Sequence, residues 1–375
     1  MDAVDSMADL IQIREVQPED LDALVRLEEA GFTTDRLSRR SFQRAIKVDN
    51  CLFDVVERGG EVLGYGLVHL HKGTRLARLY SILIDPSLRG QGVGERLMRA
   101  LEAEALEEAR LFMRLEVGAQ NHAAISLYKR LGYTEFEEIE GYYEDGTDAL
   151  RMQKRIRFPE LALPGVRMTW YRQSTDFTCG PASLMMAMAW LRPKVTKLTQ
   201  GLELDIWREA TTIYMTSGHG GCHPLGLALA AARRGFSVRA FVSQKSAPFL
   251  DGVRSVHKKS VIEAVHGQFL EQCERTRLPL HYEVITVAKI EAWLHKKSAV
   301  LVMISSYRLN GDKAPHWVTI TAIDDLCVYV HDSDVDKMTR TELDCQHIPI
   351  AKEDFARMTA YGNQRFSAAV VLEAK

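Results

Sequence analysis

Arg89-Gly90-Gln91-Gly92-Val93-Gly94 follow an apolar run, Leu79–Ile84, that ends at Asp85-Pro86. They precede a helical pattern with Val93, Leu97, Ala100 and Leu101 on one face. The order is strand, glycine-rich turn, helix. Glycines let backbone approach a ligand closely, and a fresh helix presents unpaired N–H groups at its positive end. Such a turn suits a phosphate or pyrophosphate. The alternative is an ordinary strand–helix turn, and the flanking stretches decide between them.

Upstream, Ile11–Val16 alternates like a strand, and Pro18 opens a helical pattern through Leu21, Leu24, Val25 and Glu28. Leu52–Val56 and Val62–Leu70 read as two strands around Arg58-Gly59-Gly60, a hairpin signal. Downstream come a short strand, Arg114–Val117, and a helix over Asn121–Leu131. Asn121 is a good N-cap and Gly132 a good stop. Ala124, Leu127, Tyr128 and Leu131 share a face, which turns Tyr128 inward.

With these pieces in place, residues 11–157 resemble a GCN5-related N-acetyltransferase (GNAT). Arg89, Gly92 and Gly94 match its (Gln/Arg)-x-x-Gly-x-Gly signature. The block Leu115-Glu116-Val117, Asn121, Ala124, Leu127-Tyr128, Leu131-Gly132-Tyr133 is similar to the ribosomal-protein N-terminal acetyltransferase branch. The resemblance implies a mixed sheet flanked by helices and acetyl-CoA as the cofactor. It implies a pyrophosphate cradle at Arg89, Gly90, Gln91, Gly92, Val93 and Gly94. It further implies pairing of Ile82, Leu83 and Ile84 with the pantetheine arm, and a cofactor contact at Asn121. Glu116 then resembles the family's general base, and Tyr128 the acid that protonates the leaving thiolate. Each such proton transfer is worth roughly 10²–10⁴-fold. An α-amine titrates near about 8 against about 10.4 for lysine, so an α-amino acceptor needs less help from a base. Glu116 as a structural salt bridge, Tyr128 as a core aromatic, and Tyr142-Tyr143 as packing rather than groove residues remain open alternatives.

Met152–Arg157 reads as the closing strand of this fold. Residues 158–166, with two prolines and a glycine and no periodicity, read as a linker. Residues 1–10 read as an acidic tail, and 167–375 as a second domain.

In that second domain Cys179 stands just before Gly180-Pro181, and Ala182–Leu191 is apolar nearly all round. A helix of that kind is buried centrally. Pro181 is comfortable in its first turn. Thiols at helix N-termini titrate at about 3.5–7.5 rather than about 8.5, which favours a nucleophile. His316 opens the alternating run Trp317–Ile323, Asp324-Asp325 make a turn, and Asp332 closes the run Cys327–His331. His316 and Asp332 are equidistant from position 324, so the spacing predicts that they face each other across a hairpin. That is the geometry of a Cys–His–Asp relay. Asp334 is the alternative acid. Gln173, six residues before Cys179, offers an amide to an oxyanion.

Together Gln173, Cys179-Gly180-Pro181-Ala182, His316 and Asp332 resemble the C39-like branch of papain-fold cysteine peptidases, implying a central helix and an antiparallel sheet. Thr178 stands where that family often has Asp, and no Walker A motif or membrane span follows, unlike the exporter-linked members. The glycine-rich stretch 217–224 has three potential metal ligands, His219, Cys222 and His223, with no second cluster at zinc spacing. It reads as a loop bordering the cleft, with no metal. The helix around Asp205–Glu209 and the Ala-rich Leu225–Arg234 read as structural, and Val253–Arg275 as a charged surface helix.

Composition bounds what remains. The 375 residues suffice for two domains, and the formal charge of −2 invites neither nucleic acid nor membrane. Six cysteines without paired spacing, and a start lacking a basic segment followed by an apolar one, fit a cytoplasmic chain. The fold class is therefore α/β joined to α+β. The expected function is acetyl transfer to an amine of a peptide or small protein, coupled in one chain to cysteine-nucleophile hydrolysis. A non-catalytic peptide-binding second domain, or an amide-forming one, are the alternatives. The sequence leaves the oligomeric state open.

Overall fold

The computed structural model describes residues 11–157, 168–215, 219–250, 253–311, 314–335 and 341–375. The expected tail 1–10 and linker 158–166 lie outside the described residues, as do Ser217 and Gly218. The chain divides into two compact units, Met1–Leu163 and Pro164–Lys375.

The first unit runs β1 (Gln12–Glu15), α1 (Leu21–Gly31), α2 (Arg39–Ala45), β2 (Cys51–Arg58), β3 (Glu61–Leu70), β4 (Leu76–Ile84), α3 (Val93–Glu107), β5 (Phe112–Gly118), α4 (His122–Arg130), β6 (Thr134–Ile139) and β7 (Ala149–Arg155). Its seven strands order as β1-β2-β3-β4-β5-β7-β6. Only β4 and β5 pair in parallel. Val93, Leu97, Met98 and Leu101 of α3 bury into one core with Val68 and Leu79, while Leu24, Leu27 and Phe42 of α1 and α2 bury into another with Tyr65 and Leu83. Leu79 and Leu83 of β4, four residues apart, serve opposite faces because an extra residue between them shifts the strand's alternation.

One detail of this sheet shapes the site. The β4–β5 register covers only Leu76–Arg78 against Phe112–Arg114. Beyond it, β4 stays on β3 out to Ile84 and β5 stays on β7 out to Gly118. Tyr80 is an extra residue between the pairs Val68–Leu79 and Leu67–Ser81. A bulge raises local twist and turns a strand aside. From Leu79 onward the β5-facing edge of β4 carries no ladder partner among the described residues.

The second unit runs α5 (Cys179–Leu191), α6 (Gln200–Ala210), α7 (Pro224–Arg233), β8 (Ser237–Val242), α8 (Val256–Thr276), β9 (Leu280–Tyr282), α9 (Val287–His295), β10 (Ala299–Ser305), β11 (Pro315–Ile323), β12 (Cys327–His331), β13 (Ile348–Ala351), α10 (Lys352–Met358) and β14 (Ala368–Glu373). The strand order is β13-β12-β11-β10-β14-β8-β9. The expected antiparallel sheet holds except at its edge, where β8 and β9 are parallel. Residues 180–189 of α5 are all buried, as its unbroken apolar run demands. The helix is bolted to β11: Ser183 Oγ donates to Trp317 O (3.0 Å) and Thr319 Oγ1 donates to Ser183 O (2.9 Å). The helix expected around Asp205 begins earlier, at Gln200, because the Thr199 hydroxyl caps it by accepting from Leu202 N–H.

The β11–β12 hairpin corrects one expectation. Ile323 pairs with Val328 and Ala322 with Tyr329, but Thr321 is skipped, so Ile320 pairs with Val330 and Thr319 with His331. Continued outward, this register sets Asp332 opposite Val318, not opposite His316. The turn is longer than counted because Asp324 Oδ1 accepts from both Leu326 and Cys327 N–H. His316 and Asp332 are diagonal neighbours on one face, still within reach of their side chains.

Candidate active sites

In the first unit the turn Arg89–Gly92 leads into α3. Gly90 and Gly92 sit at φ +75° and +74°, where a side chain is strained, and an added Cβ on either would meet nothing within 4 Å. The first helical bond is made by Arg96 N–H to Gly92 O, which leaves the N–H groups of Val93, Gly94 and Glu95 at an open helix start. Arg89 Nε donates to Ile84 O (3.4 Å), tying the turn to the end of β4. Asn121 caps α4 through Oδ1, which accepts from Ala124 N–H (3.2 Å), so its amide NH₂ faces away from that bond.

Glu116 on β5 is held from two sides. Its Oε2 accepts from Arg78 Nε (2.8 Å) and its Oε1 from Arg151 Nε (3.3 Å). Both arginines are nearly wholly buried. Arg151 also reaches Glu137 (2.5 Å), and Arg78 donates to the Tyr142 hydroxyl (3.3 Å). The carboxylate is therefore a salt-bridged centre facing Tyr142, an arrangement in which structural and chemical roles overlap. Tyr128 is buried beside Tyr133, their rings edge to face at 5.7 Å. Burial alone pushes its hydroxyl far above the usual phenol range, so it keeps its proton. Tyr142 and Tyr143 pack edge to face in the β6–β7 loop. Asp35 and Glu144 brace that loop by exchanging backbone N–H and carboxylate bonds.

In the second unit three expected residues come together. His316 Nε2 donates to Asp332 Oδ1 (2.7 Å), and the same imidazole hydrogen-bonds Cys179. Burial opposes charge on His316, but the charges of Asp332 and Cys179 and their hydrogen bonds outweigh it, holding the imidazole well above its ordinary range. Asp332 is 2% exposed and also accepts from Asp334 N–H (2.9 Å). Asp334 thus fixes the acid through its backbone, while Asp332 meets the imidazole.

Gln173 is drawn to the same place. Its N–H donates to Ser333 O (3.0 Å), its Oε1 accepts from Ser333 Oγ (2.8 Å), and its Nε2 donates to Thr175 O (2.9 Å). One Nε2 hydrogen remains. Sequence reasoning missed Glu203, which is fully buried on α6. It accepts from Tyr171 Oη (2.9 Å) and Ser174 N–H (2.8 Å), pinning the segment on either side of Gln173. Its signal was a carboxylate in the apolar stripe with Leu202 and Ile206. His223, weighed as a metal ligand, has both nitrogens engaged: Nδ1 accepts from Leu225 N–H (3.0 Å) and Nε2 meets His266 (2.9 Å). Among the described residues no group of three His, Cys, Asp or Glu is placed to hold a metal. No described helix is long and apolar enough to cross a membrane.

A splayed mixed sheet with a glycine-rich turn at a helix start, and a cysteine at a buried helix's start facing a His–Asp pair, define an acetyltransferase-type unit and a papain-type unit. The chain belongs to the Peptidase C39 like family, whose pattern matches residues 168–373, and to the Acetyltransferase (GNAT) family, which matches 17–133. An N-acetyltransferase of Methanocaldococcus jannaschii is 32% identical over 144 residues, covering 38% of this chain and 90% of the relative. Thialysine N-epsilon-acetyltransferase of Bos taurus is 30% identical over 135 residues, covering 35% and 79%. The solved ribosomal-protein-S18-alanine N-acetyltransferase of Escherichia coli is 26% identical, with a TM-score of 0.37, covering 43% of this chain and all of that one. The chain is thus an N-acetyltransferase of the GNAT family that uses acetyl-CoA.

Proposed function

We propose that the chain is bifunctional: it acetylates a peptide or protein N-terminal α-amine, and it cleaves a peptide or amide bond through Cys179. The observation that carries the second activity is the hydrogen-bonded set Cys179–His316–Asp332 at the start of a buried helix.

For acetylation, the open turn at Gly90 and Gly92 and the first N–H groups of α3 suit a pyrophosphate. The unladdered edge at Ile82–Ile84 suits the pantetheine amides, and the free Asn121 amide suits a further contact. Acetyl-CoA supplies an activated thioester carbonyl. Glu116, with Arg78 and Arg151 on its oxygens, receives the acceptor amine and its proton. The protonated Tyr128 hydroxyl stands ready to donate. An α-amine needs only a weak base at neutral pH, which fits a carboxylate already sharing its oxygens with two guanidinium groups.

For hydrolysis, the Cys179 sulfur attacks the carbonyl carbon and its proton resides on His316. The Cys179 N–H and the spare Gln173 hydrogen receive the oxyanion. His316 then gives its proton to the leaving amine, and water releases the acyl group from sulfur. Asp332 keeps the imidazole oriented throughout.

Incubation of candidate peptides with enzyme and acetyl-CoA, read by mass spectrometry, tests both halves. An acetyl gain lost in Tyr128→Phe and a cleavage lost in Cys179→Ala are expected. Iodoacetamide labelling of Cys179 at pH 6 that is rapid and falls in His316→Ala supports the nucleophile. Labelling as slow as a free thiol's, indifferent to His316, overturns it and favours a binding unit.

A further inference from the structure

The acetyltransferase unit holds a second buried carboxylate, wired to the reacting face of the sheet. Glu28 of α1 is 2% exposed, and Tyr65 of β3 is fully buried. The Tyr65 hydroxyl donates to Glu28 Oε2, and Glu28 Oε1 accepts from Leu37 N–H (2.7 Å). Having given its hydrogen to Glu28, the Tyr65 oxygen accepts from Ser81 Oγ, 2.8 Å away. Ser81 is half-buried on β4. Its hydrogen points inward, which turns its lone pairs outward. Burial pushes the Glu28 carboxyl above the usual range, against the hydrogen bonds of Tyr65 and Leu37 and the charge of Arg36.

The bulge at Tyr80 sets where this chain of hydroxyls ends. Arg78 pairs with His69 and Ser81 with Leu67, so both project from one face although they are three residues apart. On that face Arg78 bonds Glu116. The pairs Leu76–Phe112 and Arg78–Arg114, continued, set Tyr80 level with Glu116 across the open gap, and Ser81 one residue further on. Glu116 and Ser81 therefore border the gap from its two sides. The chemistry has work for both. An α-amine titrates near about 8, so at pH 7 it arrives mostly as an ammonium. One proton must leave before the nitrogen can attack, and another leaves afterwards. Glu116 accounts for only one of them.

Resting on the α-amine reading, we propose that Ser81, Tyr65 and Glu28 form a proton relay that takes the first proton, while Glu116 takes the second. The ammonium N–H bond breaks toward Ser81 Oγ as the Ser81 hydrogen passes to Tyr65 Oη and the Tyr65 hydrogen to Glu28 Oε2. The free amine then forms the C–N bond at the thioester carbonyl, and its second proton goes to Glu116. The C–S bond breaks as the Tyr128 hydrogen passes to sulfur. The Glu116 proton restores Tyr128, and the Glu28 proton returns to water by the same chain once the product leaves. One amide, one thiol and one released proton result. Ser81 alone meets the amine; Tyr65 and Glu28 are positioning residues that act through it.

The test is kcat/KM of the full chain at pH 6.5 and pH 9 for the α-amino peptide that it acetylates fastest. Ser81→Ala and Tyr65→Phe are expected to lower it about 10²-fold at pH 6.5, the lower end of what a positioned proton acceptor contributes. At pH 9, above the amine's own titration near about 8, the first proton is already gone and the deficit should shrink to about threefold or less. Ser81→Thr, which keeps the hydroxyl, should stay within about threefold of wild type at both. A second readout needs no turnover. With CoA in place of acetyl-CoA, adding the peptide should raise a protonated-carboxyl infrared band that Ser81→Ala and Glu28→Gln lack. Gln retains an oxygen for Leu37 N–H, so this variant spares the brace on the α1–α2 connection. An equal deficit at the two pH values marks a merely structural role and overturns the relay, as does no deficit at pH 6.5 or no Glu28-dependent band. A wild-type chain that acetylates no α-amino peptide at either pH overturns the acceptor reading and the relay with it.

Discussion

Gly180→Ala is the sharpest perturbation of the second site. A Cβ at Gly180 would lie 2.9 Å from Cys222 Cβ and 3.2 Å from both Leu227 Cδ1 and Trp317 Cδ1. Carbon atoms rest at about 3.5–4.0 Å, so something must move by roughly 0.6 Å or more. Cys222 cannot yield easily: it is bridged to Thr211, and its carbonyl accepts from Trp317 Nε1 (3.2 Å). The displacement therefore falls on the first turn of α5, which carries Cys179. Overpacking costs about 1–3 kcal/mol and the helical gain of Ala over Gly returns up to about 1 kcal/mol, leaving a loss of about 0–2 kcal/mol. The reacting geometry suffers more, since about 1 Å of misplacement can cost about 10²-fold. The expected result is a modest fall in urea midpoint together with a tenfold or greater fall in Cys179 alkylation rate. Cys222→Gly should restore the rate by removing the nearest carbon. A Gly180→Ala protein that alkylates at the wild-type rate would refute this account of why glycine follows the nucleophile.

Three further outcomes follow from the geometry. Asp332→Asn should retain the side chain's size yet lower cleavage by about 10⁴-fold, as loss of the orienting carboxylate does in such relays; a change under tenfold would return the role to another acid. In the first unit Glu104 is pushed up to about 8 by burial and then by the charge of Asp54. A raised carboxyl pKa contributes stability that is complete below its unfolded value and lost as pH rises through about 8. The calorimetric Tm of this unit should thus fall between pH 5 and pH 9, and Glu104→Gln should flatten the fall; an unchanged slope refutes it. Gly92→Glu adds a strained φ and a carboxylate to the open turn. It should abolish acetyl transfer while Cys179 alkylates as before, and loss of both would show that the two activities are coupled.

Both folds were legible where a residue's neighbours in sequence are also its neighbours in space. Strand, glycine turn and helix at Leu79–Leu101 declare themselves, because backbone freedom and periodicity are local properties. The all-apolar run after Pro181 announced a buried helix for the same reason. Less visible were α2, whose seven residues carry five charged or polar side chains on a half-buried surface, and β6, a glutamate-rich edge strand with little apolar alternation. Their place is set by packing against the sheet rather than by pattern.

The sequence by itself determined the chemical types and their order: a phosphate-accepting turn, an inward tyrosine, a helix-start cysteine, and a histidine and an aspartate around one turn. Only the tertiary structure decided how these meet. The turn moved Asp332 off the position opposite His316, and the skipped residue at Thr321 returned it to the face of His316, where the diagonal delivers the contact. Two arginines from separate strands converge on Glu116, and a glutamate from another helix pins the Gln173 segment. Register and the pairing of buried charges depend on contacts between segments far apart in the chain, so no local pattern encodes them. The turn at Arg89–Gly94 could be read from six residues, whereas the relay around Cys179 needed the fold of a 154-residue span, from 179 to 332, to bring its members together.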